Sequence, residues 1–366
     1  MDVLDRRALN RATLARQHLL DRVRMPAADM VEHLVGMQAQ APNPPYLGLW
    51  TRLDGFRLEE LADLVTARRV VRIALMRGTI HLVTARDCRA LRAPLQPVLD
   101  RALRTTYGRA LAGVDPAEVA AAGRALVEAE PLTFDAIGRR LADRWPGVAP
   151  LALANAVRAG VPLVQVPPRG IWGRSGQAKH TSVEAWLGGP VDPDPAPDAM
   201  VPRYLAAFGP ASVADMQKWS GLTGLREVVE RQRPRLRAFR DGNGRELYDL
   251  PDAPRPDPDT PAPVRYLPEF DNLLLSHEDR ARVLTEEDRA RVMSVNGIVS
   301  GTVLVDGFVH GTWKVHRARG AAVLRVTPFR RLARRDAAAV AAEGERLLAF
   351  AAAGANRRDL DVLPVP

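Results

Sequence analysis

Cysteine is almost missing from this chain: Cys88 is the one thiol in 366 residues. A lone cysteine excludes an internal disulfide framework and any cysteine-based zinc cluster. Lysine is nearly as scarce. Three of the 52 basic residues are lysines (Lys179, Lys218 and Lys314), and the other 49 are arginines. No stretch of 18 or more uncharged apolar residues occurs, so no transmembrane helix is expected. The opening "MDVLDRRALNRATLARQ" has no apolar run and no cleavage site, which argues against a secretory signal. These absences predict a cytoplasmic chain with no membrane partner. Histidines number seven and are scattered. His310 and His316 have no cysteine or clustered carboxylate beside them, so no metal is expected. There is no G-x-S-x-G elbow for a serine nucleophile. The segment "GIWGRSGQ" has phosphate-loop-like glycine spacing without the Lys-Ser/Thr ending, so it reads as a turn; no cofactor is expected.

What is abundant is arginine, and the net charge is +9. The charge is uneven. From His310 to Arg335 there are eight Lys/Arg and no Asp/Glu, and from Arg68 to Arg104 there are nine arginines against two aspartates. Clustered positive charge is the footprint of a polyanion partner, nucleic acid first. A solvated arginine-rich surface is the plainer reading of the same numbers.

Two Pro/Asp-rich segments divide the chain. Residues 188–202 carry five prolines and residues 250–263 carry six, and both read as linkers or extended loops. Between them, residues 203–249 are the clearest unit. Ser212 and Asp215 stand at capping-box spacing, and Val213, Met216 and Trp219 share a face. Gly221 permits a tight turn. Leu225, Val228 and Val229 mark a second helix, and "DGNG" joins two short strands. Helix, turn, helix, hairpin is the order of a winged helix-turn-helix.

The same order recurs more weakly twice within residues 1–187. "LTFDAIGRRLADRW", "APLALANAVRAG", "VPLVQV" and a wing-like "PPRGIWGRSGQ" form one repetition. "RLEELADLVTARRVVRIAL", expected to be helical throughout, followed by the strand "GTIHLV", forms part of the other. Thr84 and Asp87 then cap a further helix. Residues 264–366 add a hairpin turning at Asp306-Gly307, a further strand and a final helix. The expected fold class is α+β: tandem winged helix-turn-helix units, three in number, with a β-rich C-terminal part, together forming a C-shaped channel for DNA.

The stretch "GMQAQAPNPP" raises a separate question. Gly36 is placed to end the preceding helix, and Ala41 before Pro42 is pushed out of the α region. If Gln38 to Gln40 is extended, both side chains project to one side. If it is helical, they point about 200° apart and cannot share a site. Glutamine has no titratable proton, so the residues alone leave a polar helix end as the plain alternative. Glu269 and Asp271, in "LPEFDNLLL", read as a turn and helix start with local ion pairs.

Taken together, "MQAQAPNPPYLGLWTRL", "PPRGIWGRSGQ", "LPEFDNLLLSHEDR" and "VDGFVHGTWKV" resemble the AlkZ-type winged-helix DNA glycosylases, in the expected order and over nearly the whole chain. The resemblance implies tandem winged helices around DNA and excision of alkylated bases, notably N7-alkylguanines and interstrand crosslinks from natural genotoxins. That family carries Gln-x-Asp in one branch and Gln-x-Gln in the branch tied to antibiotic self-resistance. Gln38-Ala39-Gln40 resembles the second, so the implied catalytic residues are Gln38 and Gln40.

The implied chemistry is self-consistent. An N7-alkylated guanine is cationic and leaves as a neutral base, so no general acid is required. Amide oxygens aimed at an oxocarbenium-like sugar would stabilise it, and amides can hold a water in line. A Schiff-base lyase needs an amine, and none of the three lysines lies near the glutamines in sequence, so a monofunctional enzyme is expected. The expected partner is double-stranded DNA containing alkylated bases, bound by a monomer. Candidate DNA contacts are Arg226, Arg231 and Arg233 on the second helix of the middle unit, and Arg174 in the wing-like turn. Asp306 and Gly307 at the hairpin turn, and His310, Lys314, His316 and Arg317 in the basic stretch, complete the set. A winged-helix transcription regulator and a non-catalytic lesion-binding protein are the competing readings.

Overall fold

The computed structural model describes residues 2–365. It opens with a short strand β1 (Val3–Leu4) and helix α1 (Arg6–Arg16), capped by the Asp5 carboxylate. Residues 27–84 run helix, strand, helix, helix, hairpin: α2 (Ala27–His33), β2 (Met37–Gln38), α3 (Pro44–Arg52), α4 (Leu58–Thr66), β3 (Val70–Ala74) and β4 (Ile80–Thr84). The segment expected to be one long helix therefore breaks at Thr66. Arg68 takes a left-handed φ of +59° that no helix continues through, and Val70, Val71 and Ile73 are β-branched residues suited to the pleat that follows.

Helices α5 (Ala85–Arg92) and α6 (Gln96–Tyr107) lead to a second run of the same order. It comprises α7 (Pro116–Ala129), β5 (Leu132–Thr133), α8 (Phe134–Ala142), α9 (Pro150–Gly160), β6 (Leu163–Gln165) and β7 (Lys179–Ser182). After α10 (Val183–Leu187) comes a third group: α11 (Met200–Phe208), α12 (Val213–Ser220), α13 (Leu225–Gln232), and the hairpin of β8 (Arg237–Asp241) and β9 (Glu246–Asp249). Ser212 and Asp215 do form a capping box at the start of α12. The C-terminal part holds β10 (Arg265–Leu267), α14 (Asn272–Leu275), α15 (Glu286–Val292), β11 (Gly301–Val305), β12 (Phe308–Ala318), β13 (Ala321–Pro328), α16 (Arg334–Ala351) and β14 (Arg357–Val362).

Three sheets organise these elements. The hairpins of the first two runs share one sheet, ordered β2-β4-β3-β6-β7-β5, joined where β3 meets β6. Strand β3 is buried along its whole length, and its alternating side chains feed two different cores. Val70 and Ala74 join a core shared with Tyr266, Leu324 and Leu347 of the C-terminal part. Val71 and Ile73 join a core with Tyr204, Phe208 and Trp219 of the third group. The second sheet is β1-β8-β9, so the extreme N-terminus pairs with residues far along the chain rather than with its sequence neighbours. The third is β10-β11-β12-β13-β14, with β14 parallel to β13.

The Pro/Asp-rich segments are fastened rather than free. Asp192 N–H donates to the Arg89 carbonyl. The carbonyls of Pro254, Pro258 and Thr260 accept from the guanidinium groups of Arg16, Arg7 and Arg11. Among the described residues, no helix is long and apolar enough to cross a membrane.

Candidate active site

The glutamine stretch is shaped by a forced chain reversal. Helix α2 stops at His33, and Val35 and Gly36 both take left-handed backbones, at φ +52° and +91°. A Cβ on Gly36 would lie 2.6 Å from Val83 Cγ1, so glycine is needed twice over, for its dihedral and for its missing side chain. Met37 and Gln38 then pair with Leu82 and His81 of β4. The ladder carries on through Ala39, whose N–H donates to the Ile80 carbonyl at 2.7 Å. Arg72 Nη2 donates to the Ala39 carbonyl at 2.6 Å, which holds the motif from its other edge.

Both glutamine side chains come to the short turn between β3 and β4. Gln38 Oε1 accepts from Arg77 Nη2 at 2.8 Å, and Gln40 Oε1 accepts from the Ile80 N–H at 3.3 Å. A guanidinium and a backbone N–H can only donate, so the atoms facing them are the amide oxygens. Each amide therefore turns its NH2 group away from these anchors. Among the described residues neither NH2 group has a protein acceptor. Gln38 is buried at 7% exposure, whereas Gln40 is exposed. Burial draws the Arg77 guanidinium down to about 10, with the nearby Arg280 charge adding to the effect, so Arg77 stays cationic at neutral pH. Burial and Arg77 push His81 down to about 3, which keeps it neutral.

A third wall comes from the far end of the chain. Pro268, Glu269, Phe270, Asp271 and Asn272 share a small cleft with Met37, Gln38, Pro44 and Arg52. Its volume, about 10 Å³, is near the minimum that admits a single water. Asp271 caps α14 as expected, but its ion pair is not local. Arg52, 219 residues away, grips both carboxylate oxygens at 2.8 and 2.9 Å, with both groups fully buried. Asn272 Nδ2 donates to the Gly36 carbonyl at 2.8 Å, which ties this wall to the glutamine turn. Glu269 is exposed and has no hydrogen-bond or ion-pair partner among the described residues. The sequence signal that could have exposed this wall was the run of two carboxylates and an asparagine inside an apolar context; nothing in it named Arg52 or Gly36.

The wing-like loop also reaches the motif. Tyr46 accepts from the Trp172 N–H at 3.1 Å and donates to the Gly170 carbonyl at 2.9 Å. Gly170 lies so close to Arg72 that a Cβ would fall 2.7 Å from its Cδ. Arg174, further along this loop, is exposed. Beside it an open groove of about 570 Å³ is lined by Asn43, Trp172, Phe350, Arg317 and Arg319.

The remaining candidates are dispersed. Arg226, Arg231 and Arg233 do sit on or just after α13, but two of them are neutralised within the chain. Arg231 donates to both oxygens of Asp198 at 2.9 Å. Arg233 pairs with Glu230 and Glu246 at 3.2 and 2.9 Å, and the Glu230 carboxylate raises its pKa further. Only Arg226 of the three has no partner among the described residues. His310, Lys314 and His316 lie along β12. His310 is half-buried and contacts the Arg330 carbonyl, while Lys314 and His316 are exposed. Arg317 donates to the Ala351 carbonyl at 2.5 Å, at the end of α16.

The Asp306-Gly307 turn has the expected two-residue geometry. Arg7 and Arg11 both bind the Asp306 carboxylate. Asn10 Nδ2 donates to the Gly307 carbonyl at 2.8 Å, and a Cβ on Gly307 would lie 2.5 Å from Asn10 Oδ1. The turn is thus packed on α1, with the Asp306 side chain still half exposed. The lone thiol offers no chemistry: Cys88 is buried, and burial pushes it up to about 12. Among the described residues no group of three or more potential metal-binding side chains occurs.

Residues 31–350 match the AlkZ-like DNA glycosylases, and the chain belongs to that family. Its fold is that of the Streptomyces sahachiroi DNA glycosylase AlkZ, with a TM-score of 0.80 at 22% sequence identity, over 99% of this chain and 100% of that one. No individually curated protein matches the chain.

Proposed function

We propose that this protein is a monofunctional DNA glycosylase that hydrolyses the N-glycosidic bond of cationic N7- or N3-alkylated purines, bulky adducts and crosslinks included. The supporting observation is the convergence of Gln38 and Gln40 on one turn, with both oxygens held by fixed donors. That anchoring refines the chemistry expected of them. Each oxygen already accepts one hydrogen bond, and the two NH2 groups are donors without a protein partner among the described residues. These suit the oxygen of a positioned water or an acceptor on the lesion. Neither amide can supply a proton to a leaving group, so the lesion must already be activated by its own positive charge.

In the same reading, the three helix–hairpin groups are winged-helix units that place the site in an open channel, where a base tethered to the opposite strand is reached without a deep pocket. The paired arginines of α13 weigh against sequence readout by that helix, and so against a transcription regulator.

The test is release of free base from DNA containing N7-methylguanine. Wild-type protein is expected to release it. Gln38→Ala and Gln40→Ala are each expected to lose about 10²–10³ in rate, the scale of removing one preorganised polar group, while still binding DNA. Uracil released at a comparable rate, or a covalent DNA adduct trapped by borohydride, would contradict this assignment.

A further inference from the structure

We infer that Glu269 is a catalytic residue of this site: the carboxylate that accepts the proton of the attacking water and faces the positive charge of the sugar. The inference rests on the glycosylase reading above and deepens it. The Gln-Ala-Gln motif carries no carboxylate, an amide is not a base, and each of its oxygens already accepts one hydrogen bond, from Arg77 or the Ile80 N–H. Negative charge and basicity must therefore come from elsewhere in the site. Three observations place them on Glu269. It lines the same small cleft as Gln38, and that cleft has room for about one water. Its carboxylate has no protein partner, unlike its neighbour Asp271, which is consumed by Arg52. Its backbone is held in place by force: Phe270 takes a left-handed φ of +60°, a conformation that bulky residues avoid and that persists only where surroundings impose it.

What imposes it is visible. The Arg52–Asp271 pair fixes the residue after Phe270, Asn272 is bonded to Gly36, and the Phe270 N–H donates to the Val299 carbonyl at 3.3 Å. The turn is thereby tied to the glutamine segment and presents Glu269 at the cleft that Gln38 also lines. In the reaction, the water oxygen bonds to C1′ as the C1′–N9 bond breaks. The bonding pair stays on the purine, which leaves neutral, and the water's proton passes to the Glu269 carboxylate. The amide NH2 groups orient that water.

The experiment is single-turnover release of N7-methylguanine from duplex DNA by wild type, Glu269→Gln and Glu269→Asp, with DNA affinity and Tm measured on the same samples. Glu269→Gln is expected to slow release by about 10²–10³-fold, within the range for losing a general base, with affinity and Tm unchanged. Glu269→Asp recovers part of the rate. The wild-type rate falls as the pH is lowered through one ionisation, and the slow residual rate of Glu269→Gln lacks that step. Glu269→Gln within about threefold of wild type overturns the inference and leaves the glycosylase reading standing. A loss matched by an equal loss of affinity or Tm overturns it as well. A wild-type protein that releases no base overturns the glycosylase reading itself.

Discussion

Helices α1 and α13 both carry arginines, and the structure uses them in opposite ways. In α1, Asn10, Arg11, Thr13 and Arg16 are all buried, with Arg11 at 0% and Arg16 at 2% exposure. Their donors are met by fixed acceptors: Arg16 grips Asp249 at 2.6 and 2.8 Å, and Arg11 binds Asp306 and the Thr260 carbonyl. Thus α1 ties the third helical group to the C-terminal sheet by buried charge. In and just after α13 the arginines lie in solvent, and Arg231 and Arg233 pair with exposed carboxylates. Positive charge in a sequence therefore says little about which arginines meet a polyanion. Some are structural bolts, some are already neutralised, and few remain free.

The sharpest way to break this comparison is Arg16→Ala. Removing one partner of a buried ion pair should cost about 3–5 kcal/mol, read by urea unfolding, and a loss under about 1 kcal/mol would place α1 with ordinary surface helices. Acid gives a second lever. His18, just past α1, is held at about 4, by burial first and then by the charges of His33 and Arg52, against 6.5 when unfolded. Its folded pKa is depressed, so the unfolded chain takes up the proton first. The stability it contributes is complete above pH 6.5 and declines as the pH falls towards 4. His18→Asn suits the φ of +52° at this position. It should flatten the fall in Tm between pH 7 and 5. On α13, the Glu230 carboxylate is lowered by Arg233 and should leave that window untouched.

Smaller effects belong to α13. If Arg226 meets a phosphate, Arg226→Ala should lower the slope of log affinity against log salt by about 1, while Arg231→Ala and Arg233→Ala change it less. Equal slopes for all three would show that the intrachain pairs open on DNA. Smallest of all, Arg231→Ala should change unfolding free energy by no more than about 1 kcal/mol, as exposed pairs do.

Local patterns were legible where local chemistry decides. Thr84 and Ser212 cap the helices they were expected to cap, because capping involves backbone groups within three residues. The Asp306-Gly307 turn joins β11 and β12 as read. What failed or was missed depends on distant partners. Val70–Ala74 was read as helix, and its strand state is secured by pairing with β4 and β6. Strand β14 has no hairpin of its own and exists by parallel pairing with β13. Asp271 was read as a local ion pair because its partner, Arg52, cannot be inferred from spacing.

The sequence by itself determined the class of protein, the Gln38-Ala39-Gln40 motif and the want of an acid or a lysine within it, since these follow from residue identity and order. Only the tertiary structure decided what the motif can do. It turned both amide oxygens onto the Arg77–Ile80 turn, brought Glu269 beside Gln38, and packed the Asp306-Gly307 turn onto α1. The physical reason is common to all three. A donor's direction and a carboxylate's company are set by neighbours far away in the chain, and these come close only when the three sheets and their shared cores assemble.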